Sequence, residues 1–298
     1  MRPDNVAALA RVVSVGRNAA WIAFEDEDQL RLASLRKSAD RLMLVPGDLV
    51  RATALDDERV VIDGREPRSF SLQRTTAGGR TKTMAANIDG IAIVAAFARP
   101  PLHPAMIDEL LAFAEIHAIE ASAIFTKADL TSDRDAVARA CALYAGLGYP
   151  VYAVNPKTGD GVAAVGAALA GKRTLLIGQS GVGKSSLFRA LGGDADVGEV
   201  SKIGRGKQTT TTGRLHRFPQ GFLIDSPGVG EFELRELTAA EIARGFVEFG
   251  PLLGTCRFSD CVHRSEPGCA VRDAVARGAI ASSRYESYVT ILERPALS

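Results

Sequence analysis

No stretch of this chain approaches the roughly 18 consecutive apolar residues that a membrane-spanning helix needs, so no membrane partner is expected. Met1-Arg2-Pro3-Asp4-Asn5 has no apolar core of the kind a secretion signal carries, which makes the cytoplasm the expected location. An excess of charge is missing too: 36 Lys and Arg stand against 35 Asp and Glu, a formal net charge of +1. A global basic field therefore cannot draw the chain to nucleic acid, and any such surface must be local. Cysteine is scarce, four residues in 298, and three of the four crowd around one histidine, which excludes a disulfide ladder. What is abundant is ordinary: 46% hydrophobic and 24% charged residues describe a soluble globular chain, long enough for two or three compact units.

The rhythm of the chain changes twice. Residues 1–67 hold short apolar runs at 11–15, 19–24, 48–55 and 59–63 with turn residues between them, the pattern of a small β-barrel. Residues 68–86 are rich in Thr, Gly, Arg and Lys and lack a sustained apolar period, which predicts a mobile linker. From 87 to 234 apolar strands (88–97, 120–125, 151–154, 174–177) alternate with helical patterns (105–118, 133–147, 161–170, and from 184), followed by strands at 213–218 and 222–225. That alternation predicts a covered parallel sheet. Residues 235–298 read as helices around a cysteine-bearing loop. Repeats and low-complexity tracts are absent.

Gly178-Gln179-Ser180-Gly181-Val182-Gly183-Lys184-Ser185, followed by Ser186, lies after an apolar strand and before a helix, where a phosphate-binding loop belongs. Its glycines let backbone N–H groups converge on phosphate oxygens, Lys184 faces the β- and γ-phosphates, and the Ser185 hydroxyl can ligate magnesium. Asp225-Ser226-Pro227-Gly228 closes a later apolar strand and puts a magnesium-directed carboxylate at its tip, with Gly228 beside the terminal phosphate. Between them Thr209-Thr210-Thr211-Thr212 has the character of a first switch, with Thr210 ahead of Thr209 as the magnesium ligand. Thr126-Lys127-Ala128-Asp129 follows another strand; the Asp129 carboxylate can accept from both N1–H and the amine of guanine, a pair that adenine lacks. Asn155-Pro156-Lys157-Thr158-Gly159 offers a second guanine loop through Lys157. Both guanine motifs precede the phosphate loop, a permuted order that leaves the second switch leading directly into the C-terminal segment, on which it could pull.

Cys256, Cys261, His263 and Cys269 supply three thiolates and an imidazole, a closed tetrahedral set that fits one structural zinc ion. Cys141 stands alone in a helical pattern and reads as a small core residue. His103, His117 and His216 receive no role.

With these residues in view, the whole chain resembles the family of ribosome small subunit-dependent GTPases A. The likeness rests on the permuted motif order, Gly204-Arg205-Gly206 before the threonines, Asp225-Ser226-Pro227-Gly228, and Cys256-Arg257-Phe258-Ser259-Asp260-Cys261-Val262-His263 with Glu266-Pro267-Gly268-Cys269. The resemblance implies an OB-type β-barrel (1–67), a linker (68–86), a circularly permuted P-loop GTPase domain (87–234) and a helical zinc-binding module (235–298). It also implies GTP and GDP, Mg2+ and Zn2+ as ligands, and late maturation of the small ribosomal subunit as the task, with hydrolysis stimulated by that subunit. Three positions depart from the family pattern. Thr126 replaces an asparagine, which predicts the loss of an amide contact to base and phosphate loop. Pro156 has no N–H to give the guanine carbonyl unless the Lys157 amide substitutes. Gln208 replaces a histidine, and because Val229 stands where many GTPases keep a water-orienting glutamine, Gln208 becomes the expected water-positioning residue beside Lys184 and Thr210.

A ribosome-binding module that holds guanine nucleotide with little turnover is the alternative, and a P-loop ATPase or kinase a further one if Asp129 is accidental. The expected partners are the small subunit and its rRNA, met by a monomer. Arg31, Arg36, Lys37, Arg41, Arg80, Lys82, Lys202, Arg205 and Lys207 are the candidate RNA contacts.

Overall fold

A computed structural model describes residues 7–16, 19–24, 30–36, 42–56, 59–75, 81–193, 214–218, 221–225 and 237–293. Short strands with period-2 burial open the chain. β1 (Ala7–Val15), β2 (Ala19–Phe24), β3 (Leu30–Leu35), β4 (Leu49–Ala54) and β5 (Val60–Arg65) close into a barrel in the order β1-β2-β3-β5-β4. Val12, Ile22, Ala33, Val50 and Ile62 fill its interior. β3 escaped the sequence reading because its leucines mislead: Leu32 is exposed, while the small Ala33 is the residue turned inward. Val13 and Ala23, on the outer wall, pack into the core of the next unit.

The expected mobile linker is corrected by the structure. β6 (Ser71–Thr75) and β7 (Thr81–Ala86) pair antiparallel, and Leu72, Ala85 and Ala86 are buried. A two-stranded ribbon is marginal alone; this one is moored. Asp48, 0% exposed, accepts from Val45 N (2.8 Å) and from Arg68 Nε (2.7 Å) and Nη2 (2.9 Å). Asn87 Nδ2 donates to Gly47 O (3.1 Å) while its Oδ1 accepts from Ser69 N (2.8 Å). Gly47 has φ +90°, and a Cβ there would fall onto the Ala86 carbonyl oxygen, so only glycine permits the approach.

β8 (Gly90–Ala96), α1 (Pro104–Ile116), β9 (Glu120–Thr126), α2 (Arg134–Gly146), β10 (Val151–Val154), α3 (Val162–Ala168), β11 (Arg173–Ile177), α4 (Lys184–Ala190), β12 (Arg214–Phe218) and β13 (Gly221–Asp225) follow. Their sheet runs β10-β9-β8-β11-β13-β12. Five strands are parallel; β12 pairs antiparallel with β13, so the expected parallel sheet ends in an antiparallel edge. β8 is buried throughout, with Ile91, Ile93 and Ala95 facing α1 and α2 and Ala92 and Val94 facing the α3 and α4 side.

The C-terminal part comprises α5 (Ala239–Arg244), a 3-10 segment (Val247–Leu252), α6 (Ala270–Ala276) and α7 (Ser282–Glu293). Its Ile242, Phe246, Phe249, Val271, Tyr288 and Ile291 share one apolar core with Ile107 and Leu111 of α1. Cys141 is half-buried against the same core, and burial raises its thiol pKa, as suits a packing residue.

Asp48→Ala leaves the largely buried Arg68 guanidinium without its carboxylate. It is expected to lower unfolding stability by about 3 kcal/mol, read as a shift in the midpoint of chemical denaturation.

Candidate nucleotide site and metal centre

β8, β9 and β10 step away from the centre of the sheet in one direction, and β11 then returns to pair with the other edge of β8. At such a reversal the carboxyl ends of neighbouring strands leave a crevice, the usual seat of a ligand in a doubly wound sheet. Residues 97–103 after β8, 126–130 after β9, 155–160 after β10 and 178–185 after β11 all leave from this edge. Gly178 is required by packing: a Cβ on it would strike the Val94 carbonyl oxygen of β8.

The base-directed and phosphate-directed loops are tied to each other. Thr126 Oγ1 donates to Val182 O at 2.6 Å and lies 3.3 Å from Ala95 O. The link to the phosphate loop that the missing asparagine amide predicted to be lost is thus made by a hydroxyl. Lys127, in the left-handed region at φ +56°, donates through Nζ to Gly181 O (2.6 Å) and to Arg99 O. Its stem therefore lies along the phosphate loop and Asp129, on the 3-10 turn Ala128–Leu130, is left exposed.

Lys184 Nζ donates to Gly178 O (2.6 Å) and Gln179 O (2.9 Å), holding its charge at the mouth of its own loop. Ser185 and Ser186 stand in the first turn of α4. In the second guanine loop Asn155 Oδ1 accepts from Lys157 N at 3.0 Å. The amide that could stand in for the donor missing at Pro156 is therefore engaged within its own loop. Asp225 ends β13 in register with Leu176, beside the strand that feeds the phosphate loop. Gln208, Thr209, Thr210 and Gly228 lie outside the described residues, as do Lys37, Arg41, Arg80, Lys202, Arg205 and Lys207. Of the other basic candidates, Arg36 pairs with Asp63 (2.7 Å) and Arg31 Nη2 donates to Asp56 O (2.8 Å), so both are anchored within the barrel.

In the C-terminal part Cys256, Cys261, His263 and Cys269 bring their ligand atoms within 4.8 Å of one another. With Zn–S near 2.3 Å and Zn–N near 2.05 Å, a tetrahedron has N···S edges of about 3.6 Å and S···S edges of about 3.8 Å. His263 Nδ1 lies 3.5, 3.5 and 3.4 Å from the sulfurs of Cys256, Cys261 and Cys269, and Cys256 Sγ lies 4.0 Å from Cys269 Sγ. The four residues fit the ion, which would hold the loop closed and leave no position for water.

Glu266 organises that loop and has no signal in the ligand spacing beyond being an acid between two ligands. Partial desolvation opposes its charge, but N–H groups of Val262, Arg264 and Ser265 donate to its carboxylate (3.1, 2.8 and 3.0 Å) and hold its pKa down at about 2. Those bonds fix the peptide that follows His263 and the one that precedes Val262, around a ligand itself in the left-handed region at φ +60°. Glu266→Ala keeps every ligand and is expected to weaken zinc affinity roughly 10-fold, measured by competition with a chromophoric chelator.

The RsgA GTPase family model matches residues 65–235. The small ribosomal subunit biogenesis GTPase RsgA of Chromohalobacter salexigens is 41% identical over 291 residues, covering 96% of this chain and 85% of that protein. Among solved structures, YjeQ from Thermotoga maritima superposes with a TM-score of 0.79 at 32% identity, covering 97% of this chain and 100% of that one. YloQ, described as a circularly permuted GTPase, superposes at 0.76 over 97% of this chain and 96% of its own, with 24% identity, a likeness of fold alone. A family match across more than half of the chain, joined to a relative of this identity over nearly its full length, means that this chain belongs to the RsgA GTPase family.

Proposed function

We propose that this chain hydrolyses GTP while bound to the small ribosomal subunit, late in the maturation of that subunit. The observation that carries the reading is the pair of bonds from Thr126 and Lys127 to Val182 and Gly181, which fasten a guanine-directed loop to a phosphate-directed one although the two are more than fifty residues apart in sequence. Asp129 reads the base, Lys157 covers it, residues 178–186 hold the phosphates, and Lys184 neutralises charge as the terminal phosphoryl leaves. Magnesium, held by Ser185, Thr210 and Asp225, would supply charge neutralisation at the β- and γ-oxygens. Gln208 orients the attacking water, because Val229 has no group that could. The boundaries 1–67, 87–234 and 235–298 delimit barrel, GTPase domain and zinc module, with 68–86 as a moored joint between the first two. The barrel and the basic residues of the switch meet rRNA, and the protein acts as a monomer in the cytoplasm.

The test is GTP hydrolysis by the full chain with and without purified small subunits. Stimulated turnover supports the proposal; nucleotide binding without it favours a module that holds guanine nucleotide and hardly turns it over. Two substitutions sharpen the outcome. Asp129→Asn is expected to shift preference from guanine toward xanthine nucleotides, and unchanged selectivity refutes the assignment. Gln208→Ala is expected to abolish stimulated turnover while GTP affinity, measured separately, is retained; full stimulated activity eliminates that role.

A further inference from the structure

α7 presents adjacent residues in two directions. Arg284 and Ser287, three apart and thus on one helix face, meet α1 of the GTPase domain. Arg284, 0% exposed, donates through Nη1 to Asp108 Oδ1 (2.9 Å) and through Nε and Nη2 to Glu248 (2.7 and 3.1 Å), with its guanidinium 4.5 Å over the Phe246 ring. Ser287 Oγ donates to Asp108 Oδ2 at 2.5 Å, and Tyr144 OH, from α2, donates to Asp108 Oδ1 at 3.0 Å. One residue along, Tyr285 and Tyr288 turn to the metal loop. Tyr285 OH donates to His263 O (2.8 Å) and lies 3.3 Å from Arg264 O, and Tyr288 OH donates to Val262 O (2.9 Å). At the helix end Glu293 takes Arg264 of the same loop (2.6 Å).

We infer that α7 couples the metal loop to α1, so that Arg284 and Ser287 are positioning residues for a zinc ion they do not touch. Both grips are made by one three-turn helix whose side chains are packed in a common core, so α7 cannot shift to slacken one grip without dragging the other. Oxygens at 2.5–2.9 Å leave little room for such a shift. The carbonyls that the tyrosines hold belong to His263, a ligand, and to Val262 between two ligands; their orientation sets the direction of the His263 ring. Linkage then runs both ways: seating on α1 favours the metal-loaded loop, and metal favours seating by the same factor. The inference rests on the zinc assignment made above.

The experiment uses the full zinc-loaded chain and follows zinc transfer to a chromophoric chelator at neutral pH. Ser287→Ala, on the face that meets α1, is expected to speed transfer about threefold to tenfold, part of the worth of one hydrogen bond to a carboxylate, because Arg284 and Tyr144 keep their hold on Asp108. Asp108→Asn is expected to speed it further, and Ser287→Ala alone decides if that variant fails to fold. Val165→Ala, a cavity in the core on the opposite face of the sheet, is the control for general destabilisation and should leave transfer unchanged. In the reverse direction, Tyr288→Phe and zinc removal from the unaltered chain should each speed amide hydrogen exchange in residues 104–116. Unchanged transfer in Ser287→Ala overturns the inference, as does a control that accelerates transfer equally, or α1 exchange indifferent to zinc. Protein purified without zinc defeats the metal assignment instead, a result distinct from the others.

Discussion

The pairing of β8 with β9 on one side and β11 on the other is the constraint from which the site follows. It makes three loops, distant in the chain, leave the same edge of the sheet, and it does so whatever the order in which the strands are threaded. A phosphate loop that comes after its guanine motifs is therefore no obstacle, because strand adjacency and not chain order determines which loops meet. The added requirement is that the loops keep a fixed spacing, and here that rests on two side chains, Thr126 and Lys127, each hydrogen-bonded to a carbonyl of the phosphate loop.

Polar burial marks both borders of the GTPase domain. Toward the barrel, Asp48 and Arg68 are paired beneath the Gly47–Ala86 approach; toward the C-terminus, Arg284 lies between Asp108 and Glu248. Burial disfavours the Arg284 charge, but its two carboxylate partners outweigh that and hold its pKa above the usual arginine range. Burial together with the neighbouring Asp108 carboxylate likewise raises the Tyr144 pKa, so its hydroxyl stays a donor. Apolar surface would hold such borders together in many orientations. Charged groups buried with fixed partners accept one, because any other leaves a charge unpaired in a dry place.

Much of this was legible in the sequence wherever chemistry is local. Residues 178–185 and the Cys256–Cys269 spacing carry their own signals, and the apolar runs of β8, β9 and β11 lie within a residue or two of where they were expected. Sequence reasoning failed where a neighbour decides. β3 packs a small Ala33 inward against Ala20 and shows leucine outward, which inverts the expected pattern. β6 and β7 are largely polar strands that bury only Leu72, Ala85 and Ala86 and are held at their base by Asp48 and Asn87. β12 pairs antiparallel with β13, and no strand-helix rhythm announces that direction. The Thr126 bond spans 56 residues and the Arg284–Asp108 bond 176; neither has a local trace.

The same threading has a consequence for birth on the ribosome. β8 is central in the finished sheet, yet it is made well before one of its two neighbours: β9 follows after a single helix, whereas β11 begins at Arg173, more than seventy residues after β8 ends at Ala96. At the usual pace of synthesis, about 5–20 residues per second, the nascent chain carries an apolar strand with one bare edge for several seconds. The partial sheet β10-β9-β8 is thus an open template for stray pairing until the strand of the phosphate loop arrives. The strand that covers this edge of β8 then leaves its own far edge bare until β13 begins at Gly221.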